Sequence, residues 1–193
     1  MKTPLVEAFL VSTGLVAIAE IGDKTQLLAM ILAARYRRPV PIILGILAAT
    51  LANHALAAWA GALVAGWLGP EAMRWILGGL FLVMAAWCLI PDKQDDAPSA
   101  ASGAGAFIAT TIAFFLVEIG DKTQIATVGL AARFDDLIAV TAGTTLGMMI
   151  ANVPAVLFGE VLARKVPLRF VRSMAALSFV LLGGLVLWMP AMV

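Results

Sequence analysis

The heptapeptide Glu-Ile-Gly-Asp-Lys-Thr-Gln occurs twice in this chain, at residues 20–26 and 118–124, and each copy lies inside a long apolar stretch. Each copy contains two acids and one lysine. A charged side chain at the centre of a lipid bilayer costs at least about 2.5 to 3.5 kcal/mol on insertion scales. Charge retained twice in such surroundings indicates an ion pathway or an ion-binding site.

The chain as a whole is too apolar for an ordinary soluble domain. Of its 193 residues 62% are hydrophobic and 13% are charged, and the mean hydropathy is +1.00. A spanning helix needs about 20 mostly apolar residues. If the charges of the heptapeptides are accepted, the segments that qualify are about 5–34, 41–67, 72–90, 106–132, 137–162 and 170–189. We therefore predict an all-α, multi-pass membrane protein with six transmembrane helices in the lipid bilayer, and no feature suggests nucleic-acid binding.

The two heptapeptides belong to a longer internal repeat. The offset of 98 positions that relates them also pairs Gly45 with Gly143, Arg74 with Arg172, and Phe81 with Phe179. Because each copy contains three spans, the second copy enters the membrane from the opposite side, as in the inverted repeats of many secondary transporters. We predict one transmembrane domain over residues 1–193, made of a three-helix repeat at 1–91, a flexible acidic linker at 92–105 and a second repeat at 106–193.

The heptapeptide can place several polar groups together. On a regular helix Glu20, Asp23 and Lys24 lie within about 100° of one another, whereas Thr25 points away. Gly22 and its counterpart Gly120 also permit a local break, as in the discontinuous helices of transporters. Twofold symmetry would bring both copies together near the bilayer midplane. The predicted metal ligands are therefore Glu20, Asp23, Glu118 and Asp121, and the supporting motif residues are Gly22, Lys24, Thr25, Gln26, Gly120, Lys122, Thr123 and Gln124.

The charge of this combined site suggests ion exchange. Four carboxylates and the two ammonium groups of Lys24 and Lys122 give a formal charge of −2, which one divalent cation or two protons would neutralise. Burial and like-charged neighbours disfavour an ionised acid, so such a site should take up protons when a metal ion leaves. Oxygen ligands suit hard cations such as Ca²⁺, Mn²⁺ or Mg²⁺, and they do not by themselves select one of the three.

Three further polar residues lie in the second and fifth predicted spans: Asn53, His54 and Asn152. Interhelical hydrogen bonding is the simplest interpretation of the two asparagines. His54 is the sole histidine, and near a membrane centre it could carry protons or add a nitrogen ligand. We regard all three as accessory polar residues.

Other interpretations of the heptapeptide remain open. Glu20 and Lys24, like Glu118 and Lys122, could form i, i+4 salt bridges that only fasten the bundle, although this would not require the additional aspartates. The Gly-Asp pairs also resemble those of intramembrane aspartyl proteases, but a lysine beside each aspartate would hold both carboxylates ionised. A passive cation channel is a further alternative.

The two motifs, the six-segment plan, the acidic linker and the stretch from Gly143 to Pro154 resemble the Gdt-type cation/proton exchangers. This resemblance implies a transporter, not an enzyme, that exchanges Mn²⁺ or Ca²⁺ for protons. It implies manganese export through a bacterial plasma membrane, with Ca²⁺/H⁺ exchange as the alternative. It also implies Glu20, Asp23, Glu118 and Asp121 as cation and proton sites. The metal ion would be cargo and no resident cofactor is expected, and assembly into a homo-oligomer is compatible with the sequence.

Overall fold

The computed structural model describes residues 5–90, 105–165 and 168–188, and these ranges contain helices but no strand. The helices are α1 (Leu5–Glu20), α2 (Lys24–Tyr36), α3 (Pro39–Trp67), α4 (Pro70–Leu89), α5 (Ala106–Glu118), α6 (Lys122–Phe134), α7 (Leu137–Lys165) and α8 (Leu168–Trp188). The predicted all-α class is confirmed. The predicted linker, except for Gly105, lies outside the described residues.

Several helices are long and apolar enough to cross a membrane. By length and hydropathy these are α3, α4 and α7, and α1 with α2 would add a fourth if this pair, which is bent by 71°, is counted as one span. α5 and the Arg172–Trp188 part of α8 are apolar but shorter. Large apolar side chains also cover the outside of the bundle, among them Leu47, Trp59, Val83 and Leu181. The chain is therefore a membrane protein with spanning helices, whereas the count of six spans stays a prediction.

Each heptapeptide interrupts a helix at its glycine. Gly22 has a φ of 81° and Gly120 a φ of 73°, in the left-handed region that glycine adopts without steric cost. One helix ends two residues before each glycine, and the next begins two residues after it. The Gly22 N–H donates to Gln26 Oε1 at 2.9 Å, and the Gly120 N–H donates to Gln124 Oε1 at 2.6 Å. The helix break that the glycines permit is confirmed, and the regular-helix alternative is wrong.

The two halves pack against each other in matching ways. α7 packs on α1 and α2, while α3 packs on α5 and α6. Each long helix, α3 or α7, thus lies against the two helices that flank the break in the other half. α4 packs on α8, where the equivalent rings of Phe81 and Phe179 stack with centroids 6.3 Å apart. These contacts place the two helix breaks next to each other in the centre of the bundle.

Glycines allow the long helices to approach the first helix of the opposite half closely. A Cβ atom at Gly45 would lie 2.8 Å from Thr110 Cβ on α5, and one at Gly143 would lie 2.9 Å from Ser12 Cβ on α1. A real Cβ atom essentially never lies within 3.0 Å of a neighbouring heavy atom, so a larger residue would force the helices apart. Close approach through small residues is how helices associate in lipid, where burial from water gives no driving force.

Candidate metal centre

Three carboxylates from the two heptapeptides meet in the centre of the bundle. Glu20 ends α1, while Asp23 and Asp121 are the residues that precede α2 and α6. One carboxylate oxygen from each of the three lies within 4.8 Å of the others, and all three side chains are buried. The positive N-terminal ends of α2 and α6 favour negative charge at the two aspartates. The structure therefore brings acids from both copies together.

Glu20 has one carboxylate oxygen without a hydrogen-bond donor. The Thr25 hydroxyl donates to Glu20 Oε2 at 2.5 Å, and Thr123 also faces this carboxylate. Oε1 accepts no hydrogen bond from any described residue, although the side chain is fully buried. Buried oxygens normally accept a hydrogen bond. Leaving a buried oxygen without one costs about 1–3 kcal/mol, and more if the group is charged. Oε1 is thus available to a ligand that the bundle itself does not supply.

The two lysines form ion pairs that cross between the copies. Lys24 Nζ lies 3.5 Å from Asp121 Oδ1, and Lys122 Nζ lies 3.5 Å from Asp23 Oδ1. Their environments differ, because the Lys24 side chain is 37% exposed and that of Lys122 is 6% exposed. The salt-bridge interpretation placed each lysine against the glutamate of its own copy. The crossed pairs instead join α2 to α6 around the acids.

Glu118 lies beside this group but not within it. Its carboxylate is outside the set of oxygens that meet within 4.8 Å. Two donors from α3 hold it, with Thr50 Oγ1 2.9 Å from Oε1 and Asn53 Nδ2 3.2 Å from Oε2. All three side chains are buried. Of the four predicted ligands, three therefore lie close together. The fourth, Glu118, is hydrogen-bonded to α3 instead.

The glutamines of the motifs shape the helix breaks. The side-chain oxygens of Gln26 and Gln124 accept the glycine N–H groups, as described above. Gln26 Nε2 also donates to the Ala151 carbonyl at 3.0 Å, which ties α2 to α7. In this conformation the two glutamines maintain the backbone that presents the acids.

The accessory polar residues have different roles. Asn53 contacts Glu118, as described above, whereas Asn152 donates to the carbonyl and the sulfur of Met148 at 3.1 and 3.0 Å. His54 is fully buried, and neither ring nitrogen hydrogen-bonds a described residue. Thr50 was missed by the sequence analysis. A polar residue three positions before Asn53 on an otherwise apolar helix is the signal that could have identified it.

A cavity opens beside the Asp23–Lys122 pair. Its walls include Ile21, Cys88 and Arg172, from the helix break and from α4 and α8. It thus lies against one edge of the carboxylate group, at Asp23.

Both halves of the chain match known proteins. Residues 8–96 and 106–192 match the family model described as "Divalent cation/proton antiporter GDT1". The chain is 55% identical over 174 residues to a "Putative manganese exporter" of Vibrio cholerae, covering 90% of this chain and 86% of that protein. It is 28% identical over 205 residues to "GDT1-like protein sll0615" of Synechocystis sp., covering 95% and 98% respectively.

A plant protein is also similar to this chain. "GDT1-like protein 3" of Oryza sativa subsp. indica is 26% identical over 201 residues, covering 91% of this chain and 71% of that protein. No solved structure matches the chain significantly. Because the family model matches two segments that contain both heptapeptides and most of the chain, the chain belongs to the GDT1 family of divalent cation/proton antiporters, which are transporters and not enzymes.

Proposed function

We propose that this protein exports Mn²⁺ in exchange for protons. Family membership establishes divalent-cation transport, and the relative that shares 55% of its residues is named for manganese export. The observation that carries the proposal is the buried group of Glu20, Asp23 and Asp121, which combines acids from both heptapeptides. The intramembrane-protease alternative is wrong, because members of this family are transporters.

The chemistry of the group supports exchange. Carboxylate oxygens are ligands that Mn²⁺ accepts, and they must be deprotonated to bind it. Protons and the metal ion therefore compete for the same oxygens, and the arrival of one releases the other. With Glu118 included, four acids and two lysines carry a formal charge of −2, which one divalent cation balances. Glu20 Oε1, which has no donor from the described residues, is the first oxygen that a cation would take.

We propose further that the chain forms six spans as two inverted three-helix repeats. The matching contacts of α3 and α7 with the opposite broken pair support this, as does the stacking of Phe81 on Phe179. In such transporters the ion site lies near the bilayer midplane at the interface of the repeats, within broken helices. The relation to a Vibrio protein supports placement in a bacterial inner membrane.

Calcium exchange is the second candidate, because carboxylate oxygens bind Ca²⁺ as well as Mn²⁺. The test is uptake of both ions, side by side, by liposomes that contain the purified protein, with and without an imposed pH gradient. We expect Mn²⁺ uptake to be faster when the imposed pH gradient makes the liposome interior acidic, because protons then leave in exchange. Faster Ca²⁺ uptake under the same gradient would assign calcium as the cargo, and uptake indifferent to the gradient would indicate a passive channel.

A further inference from the structure

The two motif glutamates have different surroundings, although the heptapeptides that contain them are identical. Both oxygens of Glu118 accept hydrogen bonds from α3, one from Thr50 and one from Asn53. The Asn53 amide donates in addition to the Phe115 carbonyl at 3.0 Å, so its orientation is fixed by a second partner. Glu118 is therefore held in one direction by two neutral donors.

The long helix of the opposite half, α7, has no donor at the two equivalent positions. The offset of 98 that relates the repeats places Met148 and Ala151 of α7 where α3 has Thr50 and Asn53. Neither side chain can donate a hydrogen bond to a carboxylate. Glu20 is bound instead by Thr25 of its own copy, and Thr123 of the other copy faces the same carboxylate. Its Oε1 accepts no hydrogen bond within the described part of the chain. The difference between the two glutamates thus originates in the long helices, not in the motifs.

Loss of the donors would free Glu118 to move. Burying a carboxylate without its hydrogen bonds is energetically costly. A cation bound by the three neighbouring carboxylates would supply the missing interaction. The two donors therefore compete with the cation for Glu118.

We propose that Thr50 and Asn53 are positioning residues that hold Glu118 apart from the three-carboxylate group, and that their release lets Glu118 join the cation as a fourth acid. This inference rests on the proposed function. Thr50 and Asn53 then set how tightly the ion is held, since the site has three carboxylates while they are engaged and four when they are not. Tight binding by all four acids would slow release, so the donors favour turnover.

The test is Mn²⁺ binding by purified variants in lipid nanodiscs, with free Mn²⁺ measured by electron paramagnetic resonance. Thr50→Val keeps the shape of the side chain and removes the donor. We expect its Kd for Mn²⁺ to fall about tenfold, which corresponds to one hydrogen bond to a charged group. In liposomes its KM and its maximal rate should fall together. Thr50→Ser, which restores the hydroxyl, should return both values toward the wild type.

Two controls separate positioning from general damage. Thr144→Val removes a buried hydroxyl that donates to the backbone carbonyls of Val140 and Thr141, and it should leave Kd and KM unchanged. In a Glu118→Gln background, Thr50→Val should no longer tighten Mn²⁺ binding, because the carboxylate that it frees is absent. Asn53→Leu tests the second donor in the same assay and serves if Thr50→Val does not fold.

An unchanged Kd in both Thr50→Val and Asn53→Leu, with the wild type binding Mn²⁺, would overturn this inference and leave the proposed function intact. A raised Kd would also overturn it, because the donors would then present Glu118 to the cation. Absence of Mn²⁺ binding by the wild type would overturn the proposed function and this inference together.

Discussion

Replacing Lys122 by Met should change cation binding far more than replacing Lys24 by Met, although the two lysines occupy the same position of identical motifs. Each Nζ lies 3.5 Å from an aspartate Oδ1 of the opposite copy. The Lys122 side chain is 6% exposed, whereas that of Lys24 is 37% exposed. Solvent therefore screens one pair and not the other.

The difference between the two expected changes in Mn²⁺ affinity follows from these environments. At 3.5 Å and an effective dielectric constant of about 20, two unit charges attract by about 5 kcal/mol before desolvation is subtracted. Exposed pairs are worth about 0–1 kcal/mol. When the lysine is replaced, the aspartate oxygen that it paired with becomes available to the cation. We expect Lys122→Met to tighten Mn²⁺ binding at least tenfold, about 1.4 kcal/mol, and Lys24→Met to tighten it less than about fivefold.

The assay is the Kd for Mn²⁺ in nanodiscs, combined with turnover in liposomes. Lys122→Met should bind more tightly and turn over more slowly, because release becomes limiting. Lys122→Arg keeps the positive charge and should remain close to the wild type. Equal changes in the two methionine variants, or weaker binding by Lys122→Met, would refute the assignment of the crossed pairs as competitors of the cation.

Three further outcomes are expected. Glu20→Gln should abolish Mn²⁺ transport in liposomes while the protein still inserts, and Glu7→Gln, an exposed acid on the same helix, should transport normally; transport by both variants would exclude the proposed site. Gly120→Ala meets no atom within 4 Å but has a φ of 73°, so it should cost about 1–2 kcal/mol and lower the Tm, unlike Gly184→Ala in α8; equal melting curves would contradict this. Gln26→Leu removes two hydrogen bonds and should destabilise the protein by about 1–3 kcal/mol in thermal unfolding, and an unchanged Tm would show that the helix break does not depend on it.

The helix breaks could be predicted from the sequence because their cause is local. A glycine beside charged residues in an apolar stretch permits an unusual backbone, and Gly22 and Gly120 adopt it. Hydropathy alone predicted continuous spans over 5–34 and 106–132. The bend of 71° between α1 and α2 was not predictable, because it depends on the helices that pack around the break.

The pairing within the site was less accessible to sequence analysis. Identical motifs offer each lysine two identical aspartates, and the choice depends on how the two halves rotate against each other. The difference between Glu20 and Glu118 was equally hidden, since it comes from Thr50 and Asn53, which are 68 and 65 positions away from Glu118 along the chain. Polar residues on one face of an apolar helix indicated a partner without indicating which partner.

Simultaneous measurement of Mn²⁺ uptake and internal pH tests the central claim most directly. Liposomes containing the protein would receive an inward Mn²⁺ gradient and no imposed pH gradient, with ionophores holding the membrane potential at zero. The account predicts that the interior becomes more alkaline as Mn²⁺ enters, since protons leave in exchange, and that Glu20→Gln shows neither change. Mn²⁺ uptake with a constant internal pH would contradict exchange at this carboxylate group.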